Sequence, residues 1–579
     1  MNTRINALWD EVNNLPLVLK NSSRHFPSLP AMTSEHGVDY NYEELELAAR
    51  HLAVMLKSAG VGKGDKVAIL SENSPHWVIS FFGILATGAT TVPILPDFRG
   101  PEIISILEHS EAKSVFVSGK LLSRLDEGLP TTVEMVHNTD DFQMLDIRKG
   151  KVISPSELSG ELKKLVVDPN TLGKGDGLYE AGEEDLASII YTSGTTGRSK
   201  GVMLTHKNIL SNAKSSWKVH AVMDTDRFLS MLPLAHSYEC TIGMMVPLLN
   251  GASIHYLDKA PTPTVLQPVL QKVQPTTMLT VPLIIEKIYR AKVRPSLTKS
   301  PVLRMLMKAG FTRRLLSKAA VGKLLKFFGG QIRFFGVGGA PLAPDVEKFL
   351  IEGKFPYAIG YGLTETSPMI SGFGPADAVY KSVGTVMEGI AVKIENPDPV
   401  TREGEIVVSG PNVMQGYYKD TEKTAEVFTE DGFFRTGDLG YRDEKGILYI
   451  RGRSKNMILG PNGENIYPEE IEAVINSREI VSESLVMEYK GKLVARVHLK
   501  LEVMEMLEER IKHLKENAVE YKKQLQIKAD EMLDELKTSV NQHVARNSKL
   551  QTIVLQVQPF EKTPTLKIKR FLYHKISLA

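Results

Sequence analysis

A loop rich in glycine and hydroxyl side chains follows a short apolar stretch. The stretch is LASIIYT (186–192), and the loop SGTTGRSKG runs from Ser193 to Gly201. It holds three glycines, two threonines, two serines and the cations Arg198 and Lys200. Glycines let backbone N–H groups approach an anion, while hydroxyls and cations supply donors and positive charge. This composition predicts a site for a polyanionic phosphate.

A P-loop of the kinase or ATPase type is the first alternative. That motif ends in Gly-Lys-Ser or Gly-Lys-Thr, where the lysine reaches the terminal phosphates and the hydroxyl binds magnesium. Here the order is Ser199-Lys200-Gly201, and pairs such as Gly62-Lys63 and Gly322-Lys323 are followed by Gly or Leu. The sequence therefore contains no intact P-loop.

Further motifs accompany this loop in a fixed order: GVGGAPL (336–342), GYGLTET (360–366), TGD (436–438), GRSKNMI (452–458) and TPTLKIKR (563–570). Together with YTSGTTGRSKGVMLTH (191–206), they resemble the adenylate-forming superfamily of acyl-CoA synthetases, luciferases and amino-acid adenylation domains. The segments VPLIIEKIY (281–289) and FEKTPTLKIKRFLY (560–573) are more similar to its long-chain fatty acid:CoA ligase branch. The resemblance implies that a carboxylate is joined to the α-phosphate of ATP with release of pyrophosphate, after which a thiol displaces AMP.

The resemblance also implies which residues bind the nucleotide. Residues matching the loop around the β- and γ-phosphates are Thr192, Ser193, Gly194, Thr195, Thr196, Gly197 and Lys200. Residues expected to contact the adenine are Gly338, Gly339, Ala340, Tyr361 and Gly362. Glu365, preceded by Thr364, matches the magnesium-associated position; the plain alternative for a lone glutamate is a solvated loop charge.

The ribose and the reacting groups are assigned in the same way. Asp438 is expected to accept from the two ribose hydroxyls and Arg453 to donate to the same sugar, although an Asp after Gly is also common in turns. Lys567 matches the lysine between the acyl carboxylate and the α-phosphate, with Lys569 as the alternative register. His236 matches a histidine beside the acyl carboxylate or the tunnel mouth; a buried structural histidine is the alternative.

A hinge is implied because thiol attack needs the face that Lys567 occupies during adenylation. Lys455 in GRSK stands at the hinge position, and an ordinary surface lysine is its alternative. The following PNGENIYPEEIE (461–472) resembles a loop that shapes the thiol tunnel, and Pro468 is expected to open a helix. Where some relatives carry a second lysine for the thioester step, this chain has Leu459. No protein nucleophile is needed, since the thiol attacks.

Composition limits the compartment and the partners. The 579 residues contain 70 Lys plus Arg against 68 Asp plus Glu, which gives no case for nucleic-acid binding. The single cysteine, Cys240, excludes an intrachain disulfide framework, and the N-terminal stretch lacks the apolar core of a signal peptide. A cytoplasmic protein is therefore expected.

Positioning these motifs requires a layered α/β fold. Buried-strand patterns at 65–70, 112–118, 186–192, 252–257, 331–339 and 357–362 alternate with helical ones such as 42–60 and 263–273. After residue 380 the texture becomes Gly-punctuated and strand-like, which predicts a small barrel-like subdomain. We expect a large N-terminal AMP-binding domain over 1–452 and a small mobile α+β C-terminal domain over 453–579.

Two long apolar patterns need separate interpretation. The uncharged run 78–96 has the length of a membrane span, but its prolines, glycines and threonines predict a buried helix ending near Gly88 and a strand at about 91–95. Residues 502–550 contain neither Gly nor Pro and carry an apolar stripe. A helical insertion folded on its own domain is expected, with a coiled-coil partner or homodimer contact as the alternative.

One segment is strongly basic. Residues 290–333 hold twelve Lys or Arg and no Asp or Glu, mixed with Leu, Met and Phe. Peripheral contact with an anionic membrane and a solvated basic insert are both consistent with this pattern. Pro295, Pro301, Gly310 and Gly322 are expected to break any long helix.

The combined expectation is an ATP- and magnesium-dependent long-chain fatty acid:CoA ligase, cytoplasmic or peripheral on the inner face of a membrane. A fatty acyl-AMP ligase or an acyl-carrier-protein synthetase shares the chemistry and remains the alternative. A degenerate lipid-responsive scaffold is the non-catalytic alternative, against which the intact Lys200, Glu365, Asp438, Arg453 and Lys567 speak.

Overall fold

The computed structural model describes residues 9–35, 38–146, 178, 180–192, 199–257, 261–460, 464–509, 518–563 and 567–573. Its strands are β1 Pro30–Ser34, β2 Tyr40–Asn41, β3 Lys66–Leu70, β4 Thr90–Pro93, β5 Ala112–Val117, β6 Met135–Asn138, β7 Met144–Asp146, β8 Leu186–Thr192, β9 Lys200–Thr205, β10 Arg227–Ser230, β11 Ser253–Tyr256, β12 Thr277–Thr280, β13 Phe334–Val337, β14 Tyr357–Gly362, β15 Met369–Phe373, β16 Thr385–Val386, β17 Ala391–Glu395, β18 Gly404–Ser409, β19 Gly416–Tyr417, β20 Phe434–Arg442, β21 Leu448–Arg453, β22 Ile458–Leu459, β23 Asn465–Ile466, β24 Val481–Tyr489, β25 Lys492–Leu499 and β26 Thr552–Leu555.

Helices connect most of these strands. They are α1 Pro16–His25, α2 Tyr42–Ser58, α3 Pro75–Ala86, α4 Gly100–Ser110, α5 His206–Val219, α6 Val246–Leu249, α7 Pro263–Val273, α8 Pro282–Ile288, α9 Arg294–Thr298, α10 Pro301–Lys308, α11 Gly310–Phe327, α12 Pro344–Gly353, α13 Thr421–Glu426, α14 Pro468–Asn476, α15 Leu501–Glu509 and α16 Ala518–Asn541. The fold is therefore mixed α/β, as the alternation of patterns predicts.

The chain divides into two compact units. The first comprises Met1–Leu342, Val346–Val392 and Val408–Phe434, and the second comprises Ala343–Asp345, Lys393–Val407 and Arg435–Ala579. The second unit thus includes strands that precede residue 452. The boundary between 452 and 453 stays a prediction about which part of the chain moves.

The first unit contains two large sheets. One has nine strands in the order β16-β15-β14-β13-β12-β10-β11-β1-β2, and the other has eight in the order β19-β9-β8-β4-β3-β5-β6-β7. The inner neighbours from β1 to β14 in the first sheet are parallel, as are β8, β4, β3, β5 and β6 in the second. Parallel strands place their carboxyl ends at the same edge, where ligand-binding loops collect.

The apolar run 78–96 is a helix followed by a strand. Ser74 caps α3 by accepting from the Trp77 N–H at 3.1 Å, α3 ends at Ala86, and β4 follows from Thr90. Gly83 lets α3 lie close to α2, because a Cβ there would be 3.0 Å from Leu52 Cδ2. Across the described residues, no helix is both long enough and apolar enough to span a bilayer. The sequence interpretation of this run is confirmed.

The second unit contains three smaller sheets, one of which is the antiparallel pair β22-β23. Strands β20 and β21 pair antiparallel within a four-stranded sheet ordered β17-β18-β20-β21. Strands β24 and β25 pair antiparallel, and β26 joins β25 in parallel.

The described part of the 502–550 segment packs on this unit. Ala529, Leu536 and Val540 of α16 and Leu507 of α15 are buried in one core with residues of β24, β25 and β26. The apolar stripe is therefore used inside its own unit over these residues. These apolar residues are therefore not exposed for the coiled-coil contact that was the alternative.

The basic segment 290–333 is helical in pieces. A π-helical turn over Tyr289–Val293 leads into α9, then α10 and the 18-residue α11. Ser300 caps α10 by accepting from the Leu303 N–H, and Pro301 occupies its first turn. The expectation that Gly322 breaks the helix is wrong: it lies inside α11, because a single glycine costs only about 1 kcal/mol there.

Candidate active site

The base of the phosphate loop is an antiparallel hairpin. Strands β8 and β9 pair so that Thr192 stands opposite Lys200 and Tyr191 opposite Gly201. Glycine at 201 avoids a close contact, since a Cβ would lie 2.8 Å from Ile189 Cγ2. The structure thus brings two predicted phosphate ligands together. The other predicted residues of the loop, Ser193, Gly194, Thr195, Thr196 and Gly197, lie outside the described residues.

Tyr417 joins the loop to the predicted metal ligand. Strand β19 pairs antiparallel with β9 and places Tyr417 opposite Val202. Lys200 Nζ lies 4.9 Å from the centroid of the Tyr417 ring, and the Tyr417 hydroxyl donates to Glu365 Oε1 at 3.0 Å. Burial raises the pKa of Tyr417, so the hydroxyl stays protonated and serves as a donor. Sequence reasoning missed this residue; its signal is the aromatic pair in QGYYKD (415–420).

Glu365 lies on a short 3-10 turn, Thr364–Thr366, directly after β14. The Met414 N–H donates to the Glu365 carbonyl at 2.9 Å, and Asn412 Nδ2 donates to the Thr366 carbonyl at 2.8 Å. Thr364 is half-buried on the same turn. The turn is therefore held from both sides, which fixes the direction of the Glu365 carboxylate.

The predicted adenine contacts meet at one sheet edge. Strands β13 and β14 are parallel neighbours, so the Gly338-Gly339-Ala340 loop and Tyr361-Gly362 emerge side by side. Gly339 has φ +87°, and a Cβ on Gly362 would lie 1.7 Å from the Pro368 carbonyl oxygen. Both positions require glycine for backbone geometry or close approach.

Tyr238 packs under this edge. A Cβ on Gly336 would lie 2.9 Å from the Tyr238 hydroxyl, and one on Gly338 would lie 3.2 Å from Tyr238 Cε1. Because the two glycines have no side chain, they leave the space that the tyrosine ring fills. Tyr238 therefore supports the predicted adenine loop, a role that the sequence pattern did not indicate.

His236 follows β10 at the same edge of the nine-stranded sheet. It is half-buried, and its Nδ1 accepts from the Tyr238 N–H at 3.2 Å. This bond leaves the hydrogen of the neutral imidazole on Nε2. The ring is thus oriented by its own loop.

In the second unit, Asp438 and Arg453 form a cross-strand pair. They stand directly opposite each other on β20 and β21, and Arg453 Nε donates to Asp438 Oδ1 at 2.7 Å. Asp438 is buried and its N–H donates to Thr436 Oγ1 at 3.1 Å. The structure brings the two predicted ribose ligands together.

Lys455 lies in a turn directly after β21 and is exposed. The neighbouring residues are held: the Ser454 N–H donates to the Gly437 carbonyl at 2.9 Å, and Asn456 Nδ2 donates to Glu469 Oε1 at 2.6 Å. Leu459 is also exposed. An exposed turn residue between two anchored neighbours is a suitable place for a backbone rotation.

Lys567 is exposed and lies on one arm of a small antiparallel hairpin. Its N–H donates to Thr563 Oγ1 at 3.2 Å, and Lys562 and Ile568 form an antiparallel bridge. The alternative Lys569 is half-buried, and its N–H donates to the Glu561 carbonyl at 2.9 Å.

Arg570 fastens this hairpin to α14. Its Nη2 lies 2.5 Å from Glu472 Oε2 and 3.7 Å from Glu469 Oε1, and its Nη1 donates to the Val486 carbonyl at 3.3 Å. Burial raises the pKa of Glu472 to about 7, against the opposing effect of Arg570. The cation that neighbours Lys567 in sequence is therefore committed to a structural ion pair, which sequence reasoning missed.

The described residues fit a magnesium ion that is held mainly by a nucleotide. They contain no group of three or more His, Cys, Asp or Glu side chains arranged as a metal site. Glu365 Oε2 has no hydrogen-bond partner among the described residues, since only Oε1 accepts from Tyr417. One available carboxylate is what Mg²⁺ needs where substrate phosphates supply the other ligands.

Cys240 is unsuited to act as a nucleophile. It is buried, and burial raises the pKa of its thiol to about 12. A thiol that stays protonated at neutral pH is a poor nucleophile.

Comparison with protein families decides the classification. A family model described as AMP-binding enzyme matches residues 19–418. The chain belongs to the AMP-binding enzyme family. The resemblance to the adenylate-forming superfamily is thereby confirmed for this AMP-binding enzyme.

Two curated relatives illustrate the range of the family. Long chain acyl-CoA synthetase 6, peroxisomal, of Arabidopsis thaliana is 29% identical over 504 residues, covering 80% of this chain and 69% of the relative. An octahydro-indenyl-propanoyl:CoA ligase of Rhodococcus jostii is 29% identical over 494 residues, covering 83% and 87%. The two names specify different acyl groups.

A solved structure supports the fold. The o-succinylbenzoate CoA synthetase of Bacillus subtilis, in complex with ATP and a magnesium ion, is similar over 96% of this chain and 98% of its own. The TM-score is 0.71 at 22% identity. This likeness extends the fold assignment beyond the range that the family model matches.

Proposed function

We propose that this AMP-binding enzyme is a long-chain fatty acid:CoA ligase that uses ATP and Mg²⁺ and forms AMP and pyrophosphate. The observation that carries the proposal is the connected set of Lys200, Tyr417 and Glu365, which links the base of the phosphate loop to a carboxylate. Such a set suits a substrate whose phosphates bring both negative charge and a divalent cation.

In the first half-reaction an oxygen of the fatty carboxylate attacks the α-phosphorus, and the bond to pyrophosphate breaks. Both reactants are anions, so cations must neutralise the charge that gathers at phosphorus. Lys200 and Thr192 hold the β- and γ-phosphates, Lys567 lies between the carboxylate and the α-phosphate, and His236 Nε2 donates to the carboxylate. Glu365 and the phosphates would hold magnesium, which would supply further charge neutralisation.

The adenosine is held by two groups of residues. Gly338, Gly339, Ala340, Tyr361 and Gly362 contact the adenine. Asp438 accepts from the ribose hydroxyls, which requires the Asp438–Arg453 pair to share its carboxylate with the sugar. These contacts bind substrate and intermediate alike and carry no bond-making step.

In the second half-reaction the CoA thiolate attacks the acyl carbonyl and AMP leaves. We propose that the C-terminal domain, residues 453–579, rotates about Lys455 between the two half-reactions. Lys567 then serves only the first half-reaction. Leu459 is uncharged and therefore supplies no positive charge to the second half-reaction.

The acyl group and the acceptor are the finer parts of this proposal. The long-chain assignment is supported by the motifs at 281–289 and 560–573 and by the Arabidopsis relative, whereas the Rhodococcus relative supports a polycyclic acid. Each methylene buried in an acyl tunnel contributes about 0.8 kcal/mol, which is roughly fourfold in kcat/KM. Long-chain specificity therefore predicts a steep rise of kcat/KM with chain length.

The test is a single-turnover assay with acids from C2 to C20 and a polycyclic propanoate. Each acid is tried without acceptor, with CoA and with an acyl-carrier protein, and AMP, ADP, acyl-AMP and thioester are measured. We expect AMP, acyl-AMP without acceptor and acyl-CoA with CoA, rising with chain length. ADP as product refutes the chemistry, a preference for the polycyclic acid refutes the acyl assignment, and transfer to the carrier protein alone refutes CoA.

Lys567→Ala is the matched variant for this assay. It should lose about 3 kcal/mol or more of transition-state stabilisation in adenylation, while supplied acyl-AMP still becomes acyl-CoA. The partner variant Lys569→Ala should leave both steps within about threefold of the wild type. Equal losses for Lys567→Ala in both half-reactions contradict its role.

We also propose that the enzyme works as a peripheral protein on an anionic membrane, where long-chain acids partition. The basic segment 290–333 supports this location.

A further inference from the structure

Four large apolar side chains are exposed within fourteen residues of the basic segment. Val302 is 61% exposed, Met305 65%, Phe311 83% and Leu315 63%. We call these four residues the exposed ridge. Scattered single apolar residues are normal on protein surfaces, but a group of this kind marks an interaction site.

The ridge lies on the outward side of its helices. No residue of α10 is buried, and Val302 and Met305 are three positions apart on it. In α11 the buried residues are Ser317, Ala320, Val321 and Leu324. At 100° per residue, Phe311 and Leu315 fall roughly opposite that set. The buried side of α11 therefore faces the first unit, and the ridge points away from it.

Cations flank the ridge. Arg304 and Lys308 are exposed on α10, and Arg314 and Lys318 are exposed on α11. Lys308, Arg314 and Lys318 lie three residues beyond Met305, Phe311 and Leu315 respectively, so these three cations share a face with an apolar side chain. The segment contains no acidic residue to neutralise them.

Arg313 has a different task. Its guanidinium pairs with both carboxylate oxygens of Glu352 on α12, at 2.8 to 3.1 Å. A bidentate pair of this geometry fixes orientation as well as adding attraction. Arg313 therefore anchors α11 to the first unit and belongs to the support of the ridge, not to its outer face.

We propose that the exposed ridge docks on an anionic bilayer, with Phe311 and Leu315 in the headgroup boundary and the four flanking cations on lipid phosphates. A uniformly basic face around apolar side chains matches a uniformly negative surface. Protein interfaces, in contrast, are depleted of lysine at their cores. The proposal rests on the proposed function in one respect: docking gives a long-chain ligase access to fatty acid dissolved in the membrane. The docking itself does not depend on that activity.

The test uses the full chain and vesicle cosedimentation without ATP. The vesicles are equal parts of phosphatidylglycerol and phosphatidylcholine, or phosphatidylcholine alone, at low and high salt. One variant is Phe311→Ser with Leu315→Ser, the other is Arg304→Gln, Lys308→Gln, Arg314→Gln and Lys318→Gln. The matched control is Val38→Ser with Val400→Ser, which removes two exposed apolar side chains elsewhere.

We expect the wild type and the control to bind anionic vesicles, and binding to weaken with salt. Each ridge variant should bind at least about tenfold more weakly. Turnover of a water-soluble medium-chain acid without vesicles should be unchanged, which shows that the fold is intact. If one variant loses its thermal transition, the other decides the question.

Several results would overturn the proposal: unchanged vesicle binding in a folded variant, equal wild-type binding to both vesicle types, or a change of oligomeric state in place of vesicle binding. The last would make the ridge an interface between two copies of the chain. If the ridge variants lose vesicle binding but the wild type prefers short or polycyclic acids, the ridge proposal stands and the proposed substrate is refuted. The two proposals therefore fail separately.

Discussion

Replacing Arg570 with methionine should unpair a buried carboxylate and disturb the hairpin that carries Lys567. Arg570 Nη2 lies 2.5 Å from Glu472 Oε2, with side-chain exposures of 23% and 11%. Breaking a fully buried ion pair costs about 3 to 5 kcal/mol. Discounting for the partly exposed guanidinium, we expect Arg570→Met to lower the free energy of unfolding by about 2 to 3 kcal/mol at pH 8.

The loss should depend on pH because Glu472 titrates. Burial raises its pKa to about 7 from an ordinary value of 4.5, so the folded state binds the proton more tightly than the unfolded state. Protonation of Glu472 stabilises the folded state fully below pH 4.5, and this contribution is lost as the pH rises to about 7. At pH 6 the carboxyl is largely neutral, and Arg570→Met should cost only about 1 kcal/mol, as for a lost hydrogen bond.

Urea unfolding at pH 6 and pH 8 measures both values. The double variant Arg570→Met with Glu472→Met should recover at least about 1 kcal/mol relative to Arg570→Met, since no unpaired carboxyl remains. Arg402→Met is the control: Arg402 pairs with Glu444 at 3.9 Å in an exposed position and should cost less than about 0.5 kcal/mol. Equal losses at the two pH values would refute the reasoning.

The same variant tests the positioning of Lys567. Adenylation in a single turnover should slow by about tenfold, because misplacement by about an ångström lowers rates to that extent or more. Conversion of supplied acyl-AMP to acyl-CoA should be unchanged. If both half-reactions slow equally, Arg570 is only a structural residue.

The other predictions concern the hinge, the phosphate loop and two buried titratable groups. Lys455→Pro should preserve adenylation and slow thioester formation from supplied acyl-AMP, since proline restricts φ in the turn; Lys455→Ala is its control. Tyr417→Phe removes the donor to Glu365 and should raise KM for magnesium-ATP about tenfold, while the contact of the Lys200 ammonium with the ring is retained. Burial lowers the pKa of His206 to about 4, so stability should fall as the pH drops from 6.5 to 4, by calorimetry, and His206→Asn should flatten that fall. Burial raises the pKa of Glu347 to about 7, so Glu347→Gln should lessen the loss of stability between pH 4.5 and 7.

Each of these has a contradicting result. Unchanged thioester formation in Lys455→Pro excludes the hinge at that residue. A wild-type KM in Tyr417→Phe means that the hydroxyl does not orient the carboxylate. A pH profile of unfolding that stays the same in His206→Asn or Glu347→Gln assigns the titration to other groups.

Much of the local structure follows from the sequence alone. Strands 186–192 and 357–362 and helix 263–273 have the bounds that their patterns predict, and Pro468 opens a helix as expected. These features depend on hydrophobic period, proline and the flanking residues, all of which act within a few positions of the chain. The glycine at 362 is likewise explained locally, because a Cβ there would lie 1.7 Å from the Pro368 carbonyl oxygen.

Only the tertiary structure decided which side chains meet. Glu365 receives its hydrogen bond from Tyr417, 52 residues away, because β19 pairs with β9 and not with a neighbour in sequence. Arg313 and Arg314 are adjacent and chemically identical, yet one pairs with Glu352 and the other is exposed. Arg570 follows Lys569 directly in the chain, and only the packing of α14 places Glu472 against it. Strand order and helix packing bring together residues far apart in the chain, and no local pattern records those distances.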